Sequence, residues 1–126
     1  MRLNQVTVGT NDFEASVIFY QKLGLRLIVT SRGEYARFEL PDGEATFSVH
    51  LKIVLPQDGP VLYFEVDDVD TVVDRFRADG IAIDNGPEDR PWLWREVRLT
   101  DPSGNQLCIF HAGSNRRYPP WRINTA

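Results

Sequence analysis

Cysteine occurs once in the 126 residues, at Cys108, and histidine only at His50 and His111. A lone thiol excludes an intrachain disulfide and fits a reducing compartment, and no Cys/His cluster with zinc spacing can be assembled. An excess of positive charge is missing too. The 14 Lys and Arg stand against 18 Asp and Glu, for a formal charge of −4, so the footprint that neutralises phosphates is lacking and nucleic acid is not an expected partner. The only basic cluster is Arg116, Arg117 and Arg122 near the C-terminus. No apolar run reaches the length of a membrane span and residues 1–5 have no signal-peptide core, so the expectation is a cytoplasmic protein with no membrane partner. A glycine-rich phosphate loop and a serine nucleophile elbow are likewise absent.

What remains is an ordinary globular composition, 42% hydrophobic and 25% charged, in a length that suits a single domain. Its organisation is repeated. Asp12 can cap a helix carrying Phe13, Val17, Tyr20 and Leu23 at three- and four-residue steps, closed by Gly24. Asp68 can cap a second helix carrying Val69, Val72, Val73 and Phe76, closed by Gly80. Twelve positions separate cap from glycine in both, and the flanks match as well: Val6 and Val8 with Leu62 and Phe64, Leu25 and Leu27 with Ile81 and Ile83. An internal duplication accounts for this.

Period-two alternation and turn residues predict the other strands at residues 25–29, 35–40 and 46–53 after the first helix, and 81–83, 93–100 and 106–110 after the second. Eight strands and two helices make an α+β fold, with Gln57-Asp58-Gly59-Pro60, preceded by Pro56, as the linker. Module one is expected over about 1–55, module two over about 60–112, and a tail over 113–126.

Alternation also sorts side chains by face. Phe47, Val49, Leu51 and Ile53 must point one way and Thr46, Ser48, His50 and Lys52 the other. The apolar faces need the helices, which leaves Gln5, Thr7, Arg37, Ser48, His50, Tyr63, Glu65 and Cys108 for the opposite faces, as the lining of a concave wet site or as a plain solvated sheet face. Trp92 and Trp94, two residues apart beside Arg90 and Arg95, would share a face of a strand and form an aromatic wall for a planar or cationic ligand, or else a dimer contact. In the tail Pro119-Pro120 forbids a regular helix, and Tyr118, Trp121 and Ile123 call for burial against this chain or a partner.

Four segments carry a family resemblance: Gln5-Val6-Thr7-Val8 leading to Asp12, Phe19-Tyr20-Gln21-Lys22-Leu23-Gly24-Leu25, Val66-Asp67-Asp68-Val69-Asp70, and Asp101-Pro102-Ser103-Gly104-Asn105. In this order the chain, over roughly residues 1–111, resembles the vicinal oxygen chelate superfamily of glyoxalase I, bleomycin-resistance proteins and extradiol dioxygenases. The resemblance implies two βαβββ modules pairing into an eight-stranded open cup with the helices outside, and a homodimer. It also implies a divalent metal held by residues of the first, fourth, fifth and eighth strands, positions that fall here on Gln5, His50, Val61 and Cys108. Val61 offers no donor, and Gln, His and Cys together match no metal-binding pattern of that family. The expected function is therefore metal-independent binding of a small organic molecule, with no cofactor, by Gln5, Arg37, Ser48, His50, Tyr63, Glu65, Trp92, Trp94 and Cys108. The alternatives are a divergent lyase, isomerase or dioxygenase working through a rearranged metal site or acid-base residues around His50 and Glu65, and an interaction module whose cup a partner or the tail fills.

Overall fold

Both helices begin and end on the residues that the sequence singles out. The computed structural model describes residues 1–52, 54–55 and 58–123; the expectations for Ile53, for Pro56 and Gln57 at the start of the linker, and for the last three tail positions lie outside the described residues. Helix α1 (Phe13–Leu23) is capped by the Asp12 carboxylate, which accepts from the Ala15 amide, and stops at Gly24 in the left-handed region, φ 110°. Helix α2 (Val69–Ala78) is capped by Asp68, which accepts from the Thr71 amide and hydroxyl, and ends at Asp79 before Gly80 turns left-handed at φ 84°.

The chain divides into two compact units, Met1–Pro60 with Thr100–Gln106, and Val61–Leu99 with Leu107–Ala126. In the first, β1 (Gln5–Thr10) precedes α1, and β2 (Arg26–Ser31), β3 (Tyr35–Glu39) and β4 (Thr46–Leu51) follow it. The sheet order is β1-β4-β3-β2, with β1 parallel to β4 and the β4-β3 and β3-β2 pairs antiparallel. The second unit repeats the plan, with β5 (Leu62–Glu65), α2, β6 (Glu88–Asp89), β7 (Arg95–Thr100) and β8 (Gln106–His111) in the order β5-β8-β7-β6, β5 parallel to β8. A short 3-10 turn, Gly113–Arg116, follows. The α+β class and the twofold β-α-β-β-β order agree with the sequence reading.

In the first unit α1 lays Tyr20, wholly buried, on Phe47 and Phe38 at centroid distances of 4.5 and 6.0 Å. Val8, Ala36 and Val49 complete this face, and each large side chain so buried contributes about 1.5–3 kcal/mol. The Tyr20 hydroxyl donates to Asp101 in the β7–β8 loop at 2.7 Å, and the Asp101 carboxylate also takes the Ser103 and Asn105 amides, at 2.9 Å each. The Asn105 side chain donates on to Asp101 and to the Gly9 carbonyl, which ties the Thr100–Gln106 segment to the first unit. In the second unit α2 buries Val69, Val73 and Phe76, beside Leu62, Leu107, Ile109, Val97 and Leu99 on the strands.

Two local expectations are corrected. Residues 81–83 form no strand; Ile81 and Ile83 are buried, and the short strand lies later, at Glu88–Asp89. The Ile83 carbonyl, with that of Gly86 beyond it, accepts from the Arg77 guanidinium, and the Ile81 amide is spent on the Phe76 carbonyl, so these groups are engaged outside any ladder. Nor do Trp92 and Trp94 lie on a strand. Leu93 between them turns left-handed, φ 68°, and β7 begins only at Arg95.

Candidate functional site

Each unit leaves one sheet face away from its helix, and the two faces differ in chemistry. In the first unit the register aligns Gln5 with Thr46, Thr7 with Ser48, Arg37 with Ser48 and Tyr35 with His50, so these side chains share one face, opposite Val49 and Phe47. Gln5, Arg37, Ser48 and His50 are thus brought onto one surface as the alternation predicts. Ser48 is fully buried, 2.6 Å from the Thr7 hydroxyl, and the Gln5 amide nitrogen donates to it at 3.5 Å while the Gln5 oxygen accepts from Thr46 at 2.9 Å. Arg37 Nε donates to the Tyr35 hydroxyl oxygen at 2.9 Å, and the Tyr35 and His50 rings meet edge to face at 6.2 Å. The Ser48 hydroxyl, followed by the Arg37 guanidinium and the Gln5 amide, holds the Tyr35 phenol below its ordinary pKa against the smaller effect of burial. Tyr35 belongs to this surface although the sequence reading passed over it; its place two residues before Arg37 on one strand was the available signal.

The second unit's face is aromatic. Tyr63 aligns with Cys108 and Glu65 with Phe110 across the parallel β5-β8 pair. Trp94 stacks on Phe110 at 4.4 Å and 19°, and Tyr63 stands edge-on to both rings at 5.9 Å. Phe110 and Cys108 are buried here, so β8 is covered on both faces, whereas Tyr63 and Trp92 keep 50% and 42% of their surface. Arg98 lies over the Tyr63 ring at 5.5 Å and Arg90 over the Trp92 ring at 5.9 Å. Beneath them sits Glu96, whose side chain is 2% exposed. It accepts from the Trp92 indole at 2.9 Å, Arg98 at 3.0 Å and the Cys108 thiol at 3.4 Å. Burial opposes its charge, but these three donors outweigh it and keep the carboxyl below its ordinary range. Glu96 and Arg98 were missed in the sequence, although Val97 and Leu99 pointing to the helix side already place them on the other.

Cys108 is wholly buried, and burial, with the Glu96 carboxylate beside it, pushes its thiol up to about 12. A molecule approaching this face meets Tyr63, Trp92 and Arg98 first. Glu65 is also occupied, since its Oε2 accepts from the Ala112 and Gly113 amides at 2.8 and 2.9 Å, with Arg116 at 3.8 Å. It anchors the start of the tail, which leaves little of the carboxylate for proton transfer. In that tail Tyr118, Trp121 and Ile123 are exposed, with Arg117 and Arg122 over the Tyr118 ring at 5.6 and 4.4 Å.

The positions that the family resemblance marks for a metal do not fit one. The Gln5 oxygen is taken by Thr46, Val61 has no donor atom, and the Cys108 thiol is held protonated by its surroundings. Among the described residues no three His, Cys, Asp or Glu side chains converge as a ligand set. No helix of the described residues is long and apolar enough to cross a membrane.

A family model described as the Glyoxalase/Bleomycin resistance protein/Dioxygenase superfamily matches residues 2–109. An uncharacterized protein, YraH, of Bacillus subtilis is 30% identical over 127 residues, covering 87% of this chain and 98% of that protein. Among solved structures, a glyoxalase/bleomycin resistance protein/dioxygenase from Nocardioides superposes with a TM-score of 0.77 at 25% identity, over 98% of this chain and 90% of that one. The bleomycin resistance determinant encoded on the transposon Tn5 superposes with a TM-score of 0.72 at 18% identity, over 88% and 98% of the two chains.

Proposed function

The chain belongs to the Glyoxalase/Bleomycin resistance protein/Dioxygenase superfamily, and we propose that within it the protein binds a small organic molecule without a metal ion. The observation that carries this reading is the aromatic face of the second unit. Half-exposed Tyr63 and Trp92, the Trp94–Phe110 stack and two guanidiniums over rings form a surface on which a planar group can stack. Glu96 supports it from below by fixing the Trp92 indole and the Arg98 guanidinium. On the first unit, Gln5, Arg37, Ser48 and His50 share a polar face that is a ligand surface in its own right. Metal independence is supported by the donor chemistry, since three of the four expected ligand positions hold groups unable to coordinate or already engaged.

The test is a fluorescence titration of EDTA-treated protein with bleomycin and a panel of planar heteroaromatic compounds. A saturable change in tryptophan emission, unaffected by EDTA and weakened roughly tenfold or more by Trp92→Ala, is expected. About one equivalent of a divalent metal per purified chain, lost on His50→Ala, would refute metal independence. As a finer part of the same reading, the protein works as a homodimer. The exposed Tyr118, Trp121 and Ile123 are the kind of side chains that an interface covers. Sedimentation at micromolar concentration should give a dimer, weakened by deletion of residues 114–126; a monomer throughout that range refutes it.

A further inference from the structure

The first unit's polar face is rich in donors aimed outward. Arg37 spends Nε on the Tyr35 oxygen, and among the described residues its two terminal nitrogens make no hydrogen bond or ion pair. The Tyr35 oxygen accepts from Arg37 and lies beside the Ser48 hydroxyl, so the phenol is held at the edge of this donor cluster. The Gln5 amide turns its oxygen to Thr46 and its nitrogen to the face. The nearest acid on the same side of β3, Glu39 at the strand end, is 3.7 Å from Arg26. A cluster of N–H and O–H groups with one uncompensated positive charge matches a group that only accepts, and such a group is an oxyanion.

We propose that this face captures the oxyanion of an organic acid, a carboxylate or phosphonate, on the outer edge of the Arg37 guanidinium with the Tyr35 hydroxyl as second donor. The proposal rests on the reading of this face as a ligand surface and adds the ligand's chemical class. The lowered Tyr35 pKa has the same origin, because donors that favour a phenolate also favour an incoming anion.

The experiment follows amide resonances of Thr7, Arg37 and Ser48, and the Arg37 side-chain Nε–H, in isotope-labelled full-length protein. The probes are benzoate and phenylphosphonate, with benzyl alcohol and benzylamine as neutral and cationic counterparts. One or both anions should shift these signals saturably, and comparing the two separates a carboxylate from a phosphonate preference. Affinity should fall roughly tenfold or more in Arg37→Gln and less in Arg37→Lys, with Tyr35→Phe giving a smaller loss. The spectrum of each variant also reports whether it is folded, and Arg37→Lys keeps the comparison usable should the glutamine variant unfold. Anions binding Arg37→Gln as tightly as wild type would overturn the proposal. Benzyl alcohol or benzylamine shifting these signals while the anions do not would overturn the oxyanion class and leave small-molecule binding standing. No response to any of the four at either sheet face would count against both.

Discussion

Removing one oxygen atom from the core of the first unit should cost a measurable fraction of the protein's stability. The Tyr20 hydroxyl, in a side chain with no exposed surface, donates to Asp101 Oδ2 at 2.7 Å. Burial first, and then the Asp101 carboxylate, push the phenol far above its ordinary pKa, so it remains a donor throughout the pH range of folding. Asp101 accepts three further bonds, from the Ser103 amide and from the backbone and side-chain amides of Asn105. Tyr20→Phe keeps the ring against Phe38 and Phe47 and deletes only the donor. A hydrogen bond to a charged group contributes about 1.5–3 kcal/mol, so the expected loss is about 2 kcal/mol, or roughly 6–10 °C in Tm for a chain of this size. Asp101→Ala leaves the phenol and the loop amides without their acceptor and should cost about 3–5 kcal/mol. In that background Tyr20→Phe has no bond left to remove, so the double mutant should be no less stable than Asp101→Ala, with a coupling of about 2 kcal/mol. Urea unfolding followed by circular dichroism gives all four free energies, and the m-value should be unchanged. A Tyr20→Phe loss below about 0.5 kcal/mol, or additive single mutants, would refute the role given to this bond.

Other consequences can be checked on the same protein. The native Cys108 thiol should be inert to disulfide reagents at pH 8 and titrate fully in denaturant; because its pKa is raised to about 12, its contribution to stability is complete below the unfolded thiol's pKa and declines as pH rises towards 12, a dependence that Cys108→Ala should remove from alkaline urea titrations. Glu96 has a lowered pKa, so its contribution should be complete above the unfolded carboxyl's pKa, decline as pH falls below it and be gone once pH has passed the depressed value, and the acid slope of urea midpoints should be shallower in Glu96→Gln. Glu65→Ala releases the Ala112 and Gly113 amides and Arg116, so trypsin should cut after Arg116 or Arg117 several times faster than in wild type by mass spectrometry; equal rates would deny Glu65 its anchoring role.

What the sequence disclosed is what local chemistry decides. Asp12, Gly24, Asp68 and Gly80 act within a few residues of themselves, and the helix-facing halves of the strands repeat with period two, so the duplicated plan was legible. The missing strand at residues 81–83 was not, because its apolar pattern is genuine and the Ile83 carbonyl is taken by Arg77, a helix residue whose reach no periodicity records. The tryptophan pair failed for a similar reason. A leucine at φ 68° is a rare conformation that sequence gives no cause to expect. Of the candidate residues, Gln5, Arg37, Ser48 and His50 fell on one face as alternation requires, while the burial of Cys108 and the capture of Glu65 by the tail depend on neighbours distant in sequence.

The two units show why the site is harder to read than the fold. The β1-β4 pair sets Thr7 beside Ser48 and Gly9 beside His50, and the β5-β8 pair sets Tyr63 beside Cys108 and Glu65 beside Phe110. Matched by the duplicated pattern, these are the same register positions, yet one copy fills them with hydroxyls and an imidazole and the other with rings, a thiol and a carboxylate. On the helix side the copies agree: Phe47 and Val49 in one, Leu107 and Ile109 at the matching positions in the other, all buried. Burial under a helix favours apolar side chains of suitable size, whereas the opposite face tolerates any group that finds a partner there. A duplicated sheet can therefore keep its fold on one set of alternate residues while the other set diverges. Here that divergence has produced a donor-rich surface in one copy and an aromatic surface in the other.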